Sequence, residues 1–242
     1  AKTKYYTTRR LREPKDDMKY QMPTGQATLP WFPPALVEKY RNGKEIPTLI
    51  LTEGVFKAMR GSMAGLDVVG LPSVTCYKEK NGKIYSDIAA LIERCQVQNV
   101  VVLWDGDCLK ISQKDLAIGD ELTNRPMMFF NSAKKIAELI GKIEWKKNRD
   151  TPVVYFAHVR PDSLPDRPKG LDDLLIAADE KQASQIRHEL STFPDKAFFF
   201  HILPIARGTS TLWKYFRLDS AEVFYDLHRN IIEGREFMFR GS

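Results

Sequence analysis

Cysteine is scarce: Cys76, Cys95 and Cys108 are the only three in 242 residues, and no two stand in a CxxC spacing. An odd number at wide spacing argues against a disulfide framework, a zinc ribbon and a zinc finger. A reducing, cytoplasmic setting is the expectation. Long apolar runs are missing too. The densest, residues 197–206, is interrupted by His201 and Pro204, so no membrane partner is expected. No GxxxxGK[ST] phosphate loop occurs, which excludes an ATP-driven helicase motor within these residues. Lys4-Tyr5-Tyr6 runs into Arg9, Arg10 and Arg12 without an apolar stretch, so no secretory leader is expected. There is no internal repeat and no low-complexity tract.

What is present is ordinary for a globular protein: 43% hydrophobic and 28% charged residues. The length suits one large domain, or one domain with an appended lobe, and can bury a full core. The net charge of +6 permits a polyanionic partner without requiring one. The chain begins without Met and ends in Arg240-Gly241-Ser242, so a piece of a larger protein is expected.

Residues 1–47 are polar, basic and turn-rich, with Pro23, Pro30, Pro33, Pro34 and Pro47 breaking regular structure. They read as an irregular N-terminal segment with a short helix at 35–40. Residues 48–190 then alternate strand and helix. Thr48-Leu49-Ile50-Leu51-Thr52, Asp67-Val68-Val69-Gly70, Val100-Val101-Val102-Leu103-Trp104 and Thr151-Pro152-Val153-Val154-Tyr155-Phe156 read as strands. Helical spacing follows the first and second, a third helix runs from about 126 to 141, and two more cover 172–178 and the stretch to 190. This pattern predicts an α/β domain, a parallel sheet flanked by helices. Residues 191–242 are expected to form a small C-terminal helical lobe or connector, with helices at 211–216 and 221–232.

Three acidic clusters follow strands of this sheet. Glu53-Gly54 ends the first, Asp105-Gly106-Asp107 ends the third, and Lys169-Gly170-Leu171-Asp172-Asp173 follows the fourth after a Pro-rich loop. Ligands of open parallel sheets bind outside the carboxyl ends of the strands, so carboxylates distant in sequence should converge there. Converging carboxylates repel one another unless a cation intervenes. Hard oxygen ligands without neighbouring His or Cys select Mg²⁺ or Mn²⁺. The bland alternative is that each acid serves a turn or a helix N-terminus, with Asp172 capping its helix.

In these residues the chain resembles the Toprim domain. Glu53-Gly54 leads a helix carrying Lys57 and Ala58, an apolar strand ends in Asp105-Gly106-Asp107, and Lys169-Gly170-x-Asp172-Asp173 is similar to the motif that closes this domain in primases and primase-helicases. The fit, over about residues 48–178, is best to the Toprim-like (Rossmann-like) domains of plasmid, phage and transposon replication proteins. Toprim domains also occur in topoisomerases, OLD-family nucleases and RecR-type repair proteins.

The resemblance implies a Mg²⁺-dependent nucleotidyltransferase of the DNA-primase kind, bacterial or encoded by a mobile genetic element. Glu53 would act as general acid or base and share the metal. Asp105 and Asp107 would hold one or two Mg²⁺ or Mn²⁺ ions, and Asp172 or Asp173 would complete the shell. Lys57 and Lys169 would neutralise phosphate, the alternative for both being a solvated surface charge. Arg9, Arg10 and Arg12, and the run from Lys142 to Arg149, are expected to meet a nucleic-acid backbone, with a linker and a helix terminus as the respective alternatives. Expected partners are single-stranded DNA, nucleoside triphosphates and a helicase domain or subunit. A metal-dependent nuclease and a non-catalytic DNA-binding module of replication or repair are the competing functions.

Overall fold

The computed structural model describes residues 29–106, 125–146, 149–192 and 197–204, together with the backbone of strand segments at 9–10, 20–21, 110–111, 214–218, 221–225 and 231–233. In chain order the elements are β1 (Arg9–Arg10), β2 (Tyr20–Gln21), α1 (Pro34–Asn42), β3 (Thr48–Glu53), α2 (Val55–Met63), β4 (Val68–Leu71), α3 (Ser86–Arg94), β5 (Asn99–Trp104), β6 (Lys110–Ile111), α4 (Arg125–Gly141), β7 (Val153–Val159), α5 (Leu171–Ala177), α6 (Glu180–Thr192), β8 (Phe199–Pro204), β9 (Lys214–Leu218), β10 (Ala221–Tyr225) and β11 (Ile231–Glu233).

The central sheet has the order β4-β3-β5-β7-β8. Its first four strands are parallel and β8 is antiparallel to β7. Both faces are covered, which explains why β3 and β5 read as continuous apolar runs rather than alternating ones. Alternate residues still separate two cores. Leu49, Leu51, Val100, Val102 and Trp104 pack with α1, α3 and α4 through Leu36, Ile88, Ile92, Phe129 and Ile136. Ile50, Val101 and Leu103 pack on the other face with α2, α5 and α6 through Ala58, Leu171, Leu174, Ile186 and Leu190. This is the α/β sheet flanked by helices that the hydrophobic pattern predicts.

The packed unit reaches past 48–190 at both ends. Pro34 opens α1 and left-handed Gly43 (φ 62°) closes it. Leu36 enters the core, Lys39 pairs with Asp67 at 2.7 Å, and Trp31 exchanges backbone hydrogen bonds of 2.8 and 2.9 Å with Gly70. At the other end β8 joins the sheet. Its entry is clasped by the buried Glu189 of α6, whose carboxylate accepts the amides of Ala197 (3.2 Å) and Phe198 (3.0 Å).

The C-terminal segment differs from expectation. Residues 214–218, 221–225 and 231–233 are strands, not the helices of a helical lobe, in a sheet of order β11-β10-β9-β6. Tyr215, Phe216, Val223, Phe224 and Tyr225 are β-branched or aromatic, residue types that favour a pleated surface over a helix.

Candidate functional site

The order of the sheet reverses between β3 and β5: from β3 the chain crosses to β4 on one side, then returns past β3 to β5 on the other. Such a switch point opens a crevice at the carboxyl ends of the strands. Glu53 ends β3, in register with Leu71 of β4, and Asp105 follows Trp104 at the end of β5.

Two glycines shape this edge. Gly54 turns β3 into α2 at φ 93°, a conformation side chains rarely adopt, and its amide donates to Leu71 O at 2.7 Å. The turn starts α2 beside Glu53 and places Lys57 on its first turn. Gly106 lies against the carbonyl of Val159 and the ring of Pro161, and its amide donates to Lys169 O at 2.7 Å. That bond ties the turn after β5 to the loop that enters α5, bringing the third acidic cluster to the first two.

Within the crevice the Lys57 ammonium lies 2.9 Å from Asp105 Oδ2, both side chains more than four-fifths buried. Gly170 makes the space. A Cβ there would stand 2.5 Å from Lys57 Cε, 2.7 Å from Asp172 Oδ1 and 3.2 Å from Asp105 Oδ1, so the three side chains surround one point. Asp172 Oδ1 is buried and accepts no hydrogen bond among the described residues. Burial disfavours the Lys57 ammonium, but the charge and hydrogen bond of Asp105, then Asp172 and Glu53, outweigh it and raise its pKa above the ordinary 10.5.

A raised folded-state pKa makes this pair's contribution to stability complete below the unfolded value and lost as pH rises through the folded one. Thermal melts should show a constant stability gap between the native chain and Lys57→Met at neutral and mildly alkaline pH. The gap should narrow only above about pH 10.5. Closure near pH 8 or 9 would show that Lys57 is not held in this way.

The acids of the third cluster divide their roles. Asp173, not Asp172, serves the helix start: its Oδ2 faces the amides of Lys169 (3.4 Å) and Gly170 (3.5 Å), with Gly170 as the N-cap. Asp172 is left to the crevice. The Lys169 side chain is exposed, and its carbonyl rather than its ammonium meets the site. Arg9 and Arg10 form β1 and pair with Gln21 and Tyr20. Arg12 and Asp107 lie outside the described residues.

Within the basic run before β7, Arg149 turns inward, while Lys142 and Lys146 are exposed. Arg149 donates to the carbonyls of Glu93 (2.6 Å) and Val97 (2.9 Å), and its guanidinium stands 5.0 Å from the centre of the Trp145 ring. The Lys146 ammonium is 3.8 Å from the Glu93 carboxylate. These groups meet the C-terminal end of α3, a different helix from α4, which the run follows.

A hard divalent cation suits this donor set in chemistry: carboxylate oxygens, one of them orphaned, with no thiolate or imidazole between them. Among the described residues, however, no three His, Cys, Asp or Glu side chains group closely enough to hold one. Lys57 is the cation in their midst. Among the same residues no helix is long and apolar enough to cross a membrane. No protein-family model, curated protein or solved structure matches this chain.

Sequence reasoning put Glu53, Lys57, Asp105 and Asp172 at this edge, with Gly106 for the tight turn, but missed Gly170 as the residue that makes room between Lys57, Asp105 and Asp172. The available signal was a glycine within each of the three acidic clusters.

Proposed function

We propose that this chain is the Toprim-like module of a primase-related replication protein, catalysing Mg²⁺-dependent nucleotidyl transfer on nucleic acid. One observation carries the reading: Lys57 of α2, Asp105 after β5 and Asp172 of α5 meet at the switch point of a parallel sheet, on the edge where β3 ends in Glu53. Acids that share one crevice repel one another and call for a cation between them. The short motifs shared with Toprim domains add to it. Those domains place their acids in the same order along the chain.

In this reading Asp105 and Asp107, together with Glu53 and Asp172, would hold Mg²⁺, and that ion would supply charge neutralisation for the transferred phosphoryl group. Glu53 exchanges a proton with the attacking or leaving oxygen. Lys57 offers a compact ammonium to a phosphate oxygen. The N-terminus of α2 favours an anion at the same edge. A bacterial or mobile-element setting and a helicase partner belong to the same proposal.

The test is incorporation of labelled nucleoside triphosphates on a single-stranded template. Expected is product that requires both template and Mg²⁺ or Mn²⁺. Binding of single-stranded DNA should be weak and insensitive to sequence, falling with salt by a log–log slope of about −0.7 per neutralised phosphate. Cleavage without triphosphates would replace the reading with a nuclease, and binding with neither activity would leave a non-catalytic module.

A further inference from the structure

An ammonium held by carboxylates at the place where a metal-dependent mechanism needs its ion is a chemical conflict. Lys57 reaches Asp105 from α2 at 2.9 Å, with Asp172 Oδ1 and Asp105 Oδ1 around the same point and Glu53 acting on the same charge. The chamber is cut to the lysine, because a Cβ at Gly170 would press on Lys57 Cε at 2.5 Å. A divalent ion and an ammonium cannot both be held close by Asp105 without repelling each other. The orphaned Asp172 Oδ1 shows that the ammonium leaves part of the donor set unused.

We propose that Lys57 is a resident counter-cation that keeps the acidic crevice folded and closed to metal, and that it leaves Asp105 for a nucleic-acid phosphate when the divalent ion enters. The proposal rests on the nucleotidyl-transfer reading for the identity of that anion. Its physical basis is exchange of partners. With Lys57 in place the carboxylates are neutralised, so the crevice is stable without metal. A phosphodiester gives the ammonium another anion and frees Asp105 as a ligand. Metal and nucleic acid then bind with positive coupling, and the coupling is reciprocal by linkage.

Titration of Mn²⁺ into the full chain without nucleic acid tests this, followed by calorimetry and by the signal of free Mn²⁺ in electron paramagnetic resonance. Lys57→Met should bind Mn²⁺ at least about tenfold more tightly than the native chain, since breaking a buried ion pair leaves Asp105 charged and uncompensated. Asp105→Asn added to Lys57→Met should abolish the gain. A short oligothymidylate should tighten Mn²⁺ binding to the native chain and leave Lys57→Met unaffected. If Lys57→Met does not fold alone, Lys57→Gln serves, and recovery of its thermal transition by Mn²⁺ but not by NaCl at equal ionic strength is the expected result.

Equal or weaker Mn²⁺ binding by the lysine variants overturns the proposal. When the native chain still shows Asp105-dependent nucleotidyl transfer, that outcome leaves the functional reading standing. Tight Mn²⁺ binding by Lys57→Met in a chain without transferase activity does the reverse. Absence of Mn²⁺ binding in every variant removes both.

Discussion

Glu53→Gln is expected to lower nucleotidyl transfer by about 10²–10⁴-fold, the usual contribution of a positioned acid or base. The substitution keeps the shape of the side chain at the end of β3 and removes its proton chemistry. The main-chain register that places residue 53 opposite Leu71 does not involve the carboxylate, so the fold should survive. Binding of a polyanion should hold or strengthen, because one negative charge is lost from the crevice. Steady-state rates with circular dichroism and anisotropy on the same preparation check all three. Native turnover in the variant would take Glu53 out of the mechanism.

Gly106→Ala should damage the site through the backbone. The new Cβ would meet the Val159 carbonyl oxygen, with Pro161 Cγ at 2.5 Å and Cδ at 2.8 Å. Neither neighbour is the free end of a flexible side chain, so the turn itself must move. Overpacking of this kind costs about 1–3 kcal/mol and sometimes more. At this chain length each kcal/mol corresponds to about 2–4 °C in melting temperature. The larger loss should be functional. Displacing the turn breaks the Gly106 bond to Lys169 O, and with it the alignment of Asp105 and Asp172. The expected outcome is a chain that still folds on cooling, melts several degrees lower and has little activity. A melting temperature equal to the native one would show that the turn is not confined as described.

The sheet was legible because its strands are buried on both sides, and burial forces apolar runs such as 49–51 and 100–104. Convergence of Glu53, Asp105 and Asp172 was legible for a related reason: a parallel sheet delivers every strand's carboxyl end to one edge. The antiparallel β8 was not, since the run at 197–204 looks the same in either direction and its pairing depends on the Glu189 clasp. The C-terminal strands were lost because apolar residues spaced along a short segment satisfy a helical as well as a pleated pattern. Periodicity also cannot tell Asp172 from Asp173. One residue of helical rotation gives the first to the crevice and the second to the amides of Lys169 and Gly170. Nor can it show that Lys57 and Asp105, a whole βαβ crossover apart, are each other's partner.

The parallel pairing of Thr48 with Asn99, and of Asn99 with Val153, has a kinetic consequence. Each pairing closes a long loop, and the entropy of that closure is spent before the contacts form. Glu53, Asp105 and Asp172 therefore meet only after β3, β5 and β7 have come together and α5 has docked. A half-made chain has its acids dispersed in water, each hydrated separately and without mutual repulsion. Electrostatic strain enters only with these long-range contacts, and Lys57, which follows β3 directly in the chain, arrives with that strand. The crevice thus acquires its counter-charge from the neighbouring turn of its own chain at the moment it first needs one.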